Sequence, residues 1–453
     1  MGKRAAVLVM MAALAASGSF ALDYGGSIAN SSGYFTNGTP TFEQSNKLAL
    51  WFTSQLGRHL AFDIQASGDY QNQTSYGGSF LYPYADLDKL TLAGQFSKIP
   101  NGPSLFAFDL GRFLLTDPTG DIYNQSLDGA QLVFAYPAVT VTATVGYTGL
   151  TIKPSSTILM SKADVTGLDS SAQYFGSPRA VGLLTIVAPS LFMRQDLTLS
   201  AMAQADLRPL FANNLVAAGT TTLSPNEGGP LDTQYFTVEL AGPLVSTFFW
   251  SGSFTLGTGR MLSYVVNDGM YEYTPVLSFL ATGGVRYYRS DLLGLAVGLD
   301  ATYAGGDADF STFYEGNTQG NATAFIPVTQ STIAAVFNPQ LSNIVTGGLT
   351  VSVKPLSGMK DPNLSNLQTS VKVIPFMRPS QGPVSVAGVY NANNQLYLGT
   401  EVDGGINYRP FSDLGLALSG GVFFPNAAAF APAGTPSSYG TQYGGKLEVS
   451  FSF

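Results

Sequence analysis

The last ten residues of the chain, 444–453, alternate strictly between apolar and polar side chains. Successive side chains of a β-strand point to opposite faces, so the pattern predicts a strand with one face against hydrocarbon and the other against water. A C-terminal edge strand of a soluble β-sandwich is the alternative at this point. The apolar set is Leu447, Val449, Phe451 and Phe453, and the polar set is Lys446, Glu448, Ser450 and Ser452.

The first 21 residues have the pattern of a secretory signal peptide. Lys3 and Arg4 precede an apolar run over 5–16 that is too short to span a bilayer. Ser19 and Ala21 supply small residues at the −3 and −1 positions, so we expect cleavage after Ala21. Loss of the two basic residues would lower the formal net charge from −8 to −10.

Composition narrows the class of protein. Charged residues make up only 11% of the chain, aromatic residues make up 12%, and there are 51 glycines. This is too little charge for an ordinary soluble surface. After the leader, no run of about 18 apolar residues offers a spanning helix. A membrane protein without spanning helices must be a closed barrel, because only closure pairs every backbone group inside lipid. The absence of cysteine fits an oxidising envelope compartment and excludes thiol chemistry.

Alternating segments recur along the whole mature chain, and no linker divides it. We therefore expect residues 22–453 to form one all-β domain, a transmembrane antiparallel up-and-down β-barrel of about eighteen strands. Sixteen strands remain possible if one hairpin is lost near 344–376 or in the region 83–112. The predicted strands are 23–31, 45–55, 58–70, 83–96, 103–112, 126–136, 138–149, 180–190, 195–207, 232–242, 246–258, 274–287, 292–304, 344–354, 366–376, 396–408, 412–424 and 444–453.

The predicted connections alternate between short and long. Short periplasmic turns opposite long extracellular loops are typical of outer-membrane barrels, with both chain ends on the periplasmic side. The loop 305–343 carries the apolar stretch 325–328 and could fold into the barrel mouth and narrow it. The connections predicted to be long are 32–44, 71–82, 113–125, 150–179, 208–231, 259–273, 305–343, 377–395 and 425–443.

A barrel of sixteen to eighteen strands leaves an aqueous channel unless something fills it. The strand phase places more acids than bases on the inward face, which predicts a cation-tolerant or weakly cation-selective pore. Alternatively, individual acids pair with lumenal Arg or Lys and only stabilise the wall. The inward candidates are Asp63, Asp69, Asp196, Asp206, Glu239, Arg286, Asp300, Lys354, Lys372, Glu401 and Asp403, together with Lys446 and Glu448.

Several of these features resemble known families. The terminal Phe453 resembles the C-terminal signal of bacterial outer-membrane barrels, which the barrel-assembly machinery recognises. Four stretches resemble the alginate-export and related large porins of sixteen to eighteen strands, which implies an outer-membrane channel for small solutes. The alginate exporter lines its lumen with arginines, so this more acidic interior argues against a polyuronate. The four stretches are Gly111-Arg112, 128–130, 398–403 and 420–424.

Other functions are disfavoured by the sequence. The single histidine, His59, lies at a predicted turn, and no nucleophile–base arrangement accompanies it, so we do not expect an enzyme. We expect no cofactor, and the pI near 4.7 disfavours nucleic acid. Asp307, Asp309 and Glu315 form an acidic loop patch that could bind calcium, although a solvated turn needs no ion.

Two competing functions remain open. A fatty-acid-channel-like barrel would carry an N-terminal hatch in its lumen, whereas residues 22–44 already supply a strand and a loop here. An adhesin or surface antigen would act through its long loops. The sequence leaves open the solute, the constriction and the oligomeric state.

Overall fold

Eighteen antiparallel strands close into a single β-barrel in the computed structural model. The structure describes residues 22–36, 40–75, 78–170, 173–211, 215–222, 229–310 and 320–453. The predicted signal peptide, residues 1–21, lies outside the described residues. The strands are β1 (Leu22–Phe35), β2 (Thr41–Gln55), β3 (Leu60–Ser75), β4 (Gly78–Ser97), β5 (Leu105–Thr116), β6 (Asn124–Ala135), β7 (Thr140–Tyr147), β8 (Arg179–Phe192), β9 (Gln195–Asp206), β10 (Leu231–Val245), β11 (Phe248–Val265), β12 (Met270–Arg289), β13 (Leu295–Ala304), β14 (Ile344–Val353), β15 (Gln368–Met377), β16 (Tyr397–Tyr408), β17 (Leu414–Pro425) and β18 (Gln442–Ser452).

Each strand pairs with its neighbours in sequence, and β18 pairs with β1 to close the ring. At the seam, the backbone of Phe453 exchanges two hydrogen bonds of 2.9 Å with Gly26. The prediction of about eighteen strands is confirmed, and the sixteen-strand alternative is excluded because both doubtful hairpins form. Closure leaves no free sheet edge, which is what a strand-built wall requires in lipid.

The two ends of the barrel differ in their connections. The turn rim is the end where Leu22 and Phe453 lie, and its connections are 56–59, 98–104, 136–139, 193–194, 246–247, 290–294, 354–367 and 409–413. The loop rim is the opposite end, with connections 36–40, 76–77, 117–123, 148–178, 207–230, 266–269, 305–343, 378–396 and 426–441. The predicted alternation therefore holds for most connections.

Three connections that were predicted to be long are short, namely 36–40, 76–77 and 266–269. Pairing continues where the sequence suggested loops, so the β1–β2, β3–β4 and β11–β12 hairpins run further towards the loop rim. Their upper parts have a polar outer face. Asn30 donates a 2.8 Å hydrogen bond to Asn46 on the same face as the exposed Ile28 and Leu48. Polar residues on both faces removed the alternation on which the prediction depended.

The outer face of the barrel is an apolar belt edged by aromatic rings. Large side chains such as Leu199 and Leu299 are exposed around the whole circumference. The ring centroids of Phe106 and Phe134 lie 5.2 Å apart near the turn rim. His59 stacks on Phe96 at 5.1 Å in the same aromatic group, which places the single histidine on the outside of the wall. Such a belt matches a barrel surrounded by hydrocarbon.

The loop-rim half of the interior is filled by loops. Buried side chains of connections 305–343 and 117–123 pack against inward side chains from β5 to β17 in one large cluster. Phe325, Val328 and Phe337 are almost completely buried within it. The core of this protein therefore lies inside the barrel and is built from inward-folded loops.

Two short helices complete the fold, α1 (Lys162–Asp169) and α2 (Pro362–Ser365). Ser161 and Asp164 form a reciprocal capping box at the start of α1. Within the described parts of the chain, no helix is long and apolar enough to cross a bilayer.

One glycine is required at the junction of β4 and β5. Gly111 has φ = 120°, and a Cβ there would lie 2.0 Å from the carbonyl oxygen of Leu90.

We expect Gly111→Ala to break this pairing and to lower the unfolding temperature in a heat-modifiability gel assay. Gly358→Ala is the matched control, because a Cβ at position 358 meets open space. Equal unfolding temperatures for the two variants would contradict the prediction.

Candidate pore and its constriction

An open cavity of about 1420 Å³ lies inside the barrel next to the loop-filled region. Its lining comes from β1, β2, β3 and β18, from the turn-rim ends of β15 to β17 and from the connection 354–367. On this sector, inward side chains stay accessible even near the loop rim, as at Glu43 and Gln73. We call this space the open passage. The lining is mostly polar, with amides, hydroxyls and a few charges.

Paired charges lie on the inward wall along β2 to β4, where Lys47 belongs to the lining of the open passage. The Lys89 ammonium lies 3.2 Å from Asp63, and the Lys47 ammonium lies 3.7 Å from Asp88. Both lysine side chains are nearly half exposed, so these pairs face water. Asp69 accepts hydrogen bonds from Ser45, at 2.9 Å, and from Tyr84, at 3.2 Å.

Two further ion pairs lie on other parts of the wall. Lys446 and Glu448 pair at 2.8 Å on β18, inside the open passage. Arg286 and Asp300 pair at 2.7 Å between β12 and β13, towards the turn rim. All four residues were predicted to face inward, and all four are at least one-third exposed. The alternative that single acids pair with neighbouring bases therefore holds at these positions.

The connection 305–343 is pinned across the lumen by two carboxylates and a lysine. Glu401 is fully buried, and its two oxygens accept hydrogen bonds of 2.7 Å from the backbone N–H groups of Val336 and Phe337. Asp403 accepts from the Ala335 N–H at 3.3 Å. On the next strand, Lys372 donates to the Ile333 carbonyl at 2.9 Å. These three predicted pore residues therefore hold the loop in place.

Aromatic packing and a second set of hydrogen bonds fix the same loop. The ring of Phe337 stacks on Phe423, with centroids 4.2 Å apart and planes 9° apart. The Tyr235 hydroxyl donates to the Ile326 carbonyl at 2.5 Å. Near β6, the Val328 N–H donates to the Ile122 carbonyl at 2.9 Å. The loop therefore crosses from its own strands to the opposite wall, as its apolar stretch suggested.

A buried cluster of four charges anchors the connections 148–178 and 207–230. Arg179 on β8 and Arg208 both contact Asp164 of α1 at 2.9–3.0 Å, and both also contact Asp206 at the end of β9. All four side chains are almost completely buried. Asp206, predicted to line the pore, belongs to this cluster and does not face the open passage. Alternating charges offset the cost of burying each one.

The cluster keeps the Asp164 carboxylate ionised. Burial alone would raise its pKa, but the charges of Arg179 and Arg208, with hydrogen bonds from Ser177 and the Met160 N–H, outweigh burial and lower the pKa to about 2. Asp164 lies in a connection, outside the strands of the wall.

Three acids approach one another on the inward side of β10 and the connection 117–123. Burial raises the pKa of Asp121 to about 7, with a further contribution from the charges of Asp117 and Glu239. Asp117 accepts backbone hydrogen bonds from Ile122 and Tyr123 within its own loop. The predicted inward residue Glu239 thus lies in an acidic part of the lumen.

The remaining candidates lie at the rims. Asp196 accepts the Ser190 N–H at 2.7 Å at the turn rim, and Lys354 is the first residue after β14, so it belongs to a turn and not to the wall. In the acidic loop patch, Asp307 is buried and accepts the N–H groups of Asp309 and Thr323. Glu315 lies outside the described residues. Among the residues described, no group of three or more acidic or histidine side chains could hold a metal.

Sequence reasoning missed several functional positions. Each lysine directly precedes an outward-facing leucine, Lys47 before Leu48 and Lys89 before Leu90. Strand phase alone could therefore have assigned both lysines to the inward face. A β-bulge next to Lys89 obscured the second case, because Asp88 is the extra residue. The Ser161/Asp164 capping box could have been found from its spacing, whereas its contact with Arg179 and Arg208 is a long-range one.

The fold defines the class: a large, closed, eighteen-stranded β-barrel with an apolar outer belt. No family model matches the chain, and no curated protein sequence matches it significantly. Among solved structures, it is similar to OccK9 (OpdG) of Pseudomonas aeruginosa, with a TM-score of 0.54 and 12% identity over 95% of this chain and 98% of that chain. It is also similar to OpdK, an outer membrane protein of the same organism, with a TM-score of 0.53 and 11% identity over 95% and 99% of the two chains.

A structure of OpdK with vanillate gives a TM-score of 0.52 and 10% identity, covering 95% of this chain and 98% of that chain. At such identities, the likeness shows the fold alone. It confirms the expected architecture of a large closed β-barrel. The alginate-export label used in the sequence comparison is imprecise, since these similar structures are Occ and Opd proteins.

We predict that Asp164→Asn releases the connection 148–178. The substitution leaves two buried guanidiniums short of one negative charge, and breaking a buried ion pair in this way costs about 3–5 kcal/mol. Limited trypsin digestion at Lys153 and Lys162 should become faster. Asp268→Asn, at an exposed turn, is the control and should digest like the parent.

The same cluster predicts a pH dependence. An acid whose folded pKa is lowered contributes stability above its unfolded pKa of about 4, and this contribution is lost as the pH falls through about 2. Acid-stable protease digestion of the parent protein should therefore leave the loop protected at pH 4 and expose it near pH 2. Full protection at pH 2 would contradict the assignment.

We predict that Glu401→Gln loosens the connection 305–343. An amide offers one acceptor oxygen where the carboxylate offers two, so the Val336 or Phe337 N–H loses its partner at a cost of about 1–3 kcal/mol. Chymotrypsin should cleave near Phe337 more readily. Glu448→Gln, in the open passage, is the control and should leave the protection of this loop unchanged.

Proposed function

We propose that this protein is a bacterial outer-membrane porin that lets small hydrophilic solutes diffuse through its barrel, with a weak preference for cations. The observation that carries the proposal is the open passage beside the inward-folded loops. A closed barrel with an apolar outer belt and a polar interior cavity that water can enter is the arrangement of a diffusion pore. The long connections would face outside the cell and the turn rim would face the periplasm.

The preference for cations follows from the charge pattern of the open passage. Each of Lys47, Lys89 and Lys446 has an acid partner within 4 Å. Among the described residues, Glu43 and Asp69 pair with no base: Gln73 donates to Glu43 at 3.1 Å, and Ser45 and Tyr84 donate to Asp69. Arg409 also lines the open passage, so the five inward acids of this wall face four bases and one negative charge is left over. This small excess raises the local concentration of cations. The list of inward acids is Glu43, Asp63, Asp69, Asp88 and Glu448.

The solute of a structural neighbour does not transfer directly. OpdK has been crystallised with vanillate, an aromatic carboxylate. The residual negative charge of this passage disfavours such an anion, and it favours amine-bearing or uncharged polar solutes.

The inward fold of the loops separates the porin from its competitors. An adhesin needs loops that project outward, whereas the described part of 305–343 packs into the lumen. A fatty-acid-channel-like barrel needs an N-terminal hatch, whereas residues 22–35 form β1 of the wall. We propose no catalytic role, since the histidine ring stacks on the outer belt.

Export and insertion complete the proposal. Residues 1–21 would direct secretion, and the terminal Phe453 would be recognised by the barrel-assembly machinery. Its position supports this role, because the residue lies at the seam where the last strand meets the first. The surrounding partner is the outer-membrane lipid.

Planar-bilayer recording of the refolded mature chain tests the pore. We expect stable conductance steps and a reversal potential in a salt gradient that indicates cation preference. Lys47→Gln should strengthen this preference by removing a base, and Glu43→Gln should weaken it by removing the unpaired acid. Absence of conductance, or identical reversal potentials for both variants, would refute the respective part of the proposal.

A further inference from the structure

Three consecutive turns at the turn rim display large apolar side chains to the outside. The turn tip Met193 is 75% exposed, and Phe192 beside it is 65% exposed. The next two turns of this rim, between β10 and β11 and between β12 and β13, also expose large apolar side chains. The exposed apolar residues of this sector are Leu191 and Phe192 at the end of β8 with Met193 in the turn that follows, Leu244 and Val245 at the end of β10, and Leu292 and Leu293 between β12 and β13. We call this set the apolar turn sector.

Hydrogen bonds join the three turns into one continuous surface. Gln195 donates to the Pro243 carbonyl at 2.8 Å, linking the first turn to the second. The Tyr288 N–H donates to the Thr247 carbonyl at 3.0 Å, linking the second to the strand before the third. An exposed apolar surface built from neighbouring elements marks a site of contact with a membrane or another protein.

The backbone of these turns disfavours the residues that occupy it. Met193 and Arg194 have φ values of 47° and 63°, and Leu293 has φ = 52°. This left-handed region suits glycine and asparagine, and a two-residue hairpin turn with both residues there is typically Asn-Gly. The chain instead places methionine and leucine at these positions with their side chains exposed. The geometry of the turns does not explain why methionine and leucine occupy these positions. Their exposed side chains therefore have a function of their own.

The apolar turn sector continues the lipid-facing belt. The rings of Phe248 and Tyr287 pack on the outer wall immediately beside it, with centroids 4.7 Å apart and planes tilted by 38°. Elsewhere on the same rim, the first turn exposes Gly57, Arg58 and His59. Other turns of this rim expose one or two large apolar side chains each, such as Tyr136, Met359 and Phe411, whereas the apolar turn sector groups seven in three neighbouring turns.

We propose that the apolar turn sector is immersed in the phospholipid leaflet on the turn-rim side, where acyl chains cover Phe192, Met193 and Leu244. The exposed guanidinium of Arg194 lies at the same tip, where it can meet the headgroup phosphates. The inference rests on the proposed membrane location of the barrel. It adds that these three neighbouring turns are anchored in lipid. Continuity with the belt favours lipid over a soluble protein as the occupant.

Fluorescence quenching tests this directly, because the chain has no cysteine of its own. The full mature protein is prepared with single substitutions Met193→Cys, Leu244→Cys or Leu293→Cys and labelled with a nitrobenzoxadiazole fluorophore. It is then reconstituted in phosphatidylethanolamine–phosphatidylglycerol vesicles with doxyl-labelled lipid. Leu199→Cys, on the lipid face of β9, is the membrane reference, and Ser357→Cys, at an exposed turn, is the water reference.

We expect the three sector labels to be quenched by doxyl lipid and protected from aqueous iodide, as the label at position 199 is. Quenching by iodide to the level of the position 357 label would overturn the inference while leaving the porin proposal intact. A label at position 199 that doxyl lipid fails to quench would show that the barrel is not embedded, and so would refute the membrane location itself. Using three sites protects the result against one variant that fails to fold.

Discussion

Closure of the sheet is the constraint on which the rest of the structure depends. A strand-built wall in lipid has no water to pair with a free edge, so β18 must return to β1 and the last residue must bond back to Gly26. Eighteen strands then enclose more space than inward side chains can fill. The interior must be filled by other parts of the chain or remain wet, and this protein does both.

The division between filled and wet space is set by a few buried polar contacts. Glu401 and Asp403 bind the backbone of 305–343 on one wall, and the cluster around Asp164 holds 148–178 on another. Buried charges are costly unless paired, so these anchors are fixed in position. The apolar cluster between them fills the loop-rim half of the sector β5 to β17, and the open passage remains along β18 and β1 to β3.

Strand phase predicted the barrel, its strand number and the inward direction of Asp63, Asp300 and Glu401. These properties follow from local alternation, which a sequence displays. Phase could not distinguish an acid that faces the passage from one that binds a loop, since Glu401 and Asp63 have the same local pattern. That distinction depends on contacts between residues far apart in sequence. Strand segments with two polar faces, such as 71–75, cannot be recognised from apolar–polar alternation either.

The hairpins of β1 to β4 rise beyond the belt on the same side as the open passage, and their inward faces carry carboxylate and amide groups such as Glu43 and Gln73. In the proposed porin, a molecule that arrives from the loop rim meets these groups before it enters the rest of the open passage. It can exchange some of its hydration shell for these groups early. The energetic cost of dehydration is then distributed along the path, so the barrier to entry is lower than an abrupt entrance would impose.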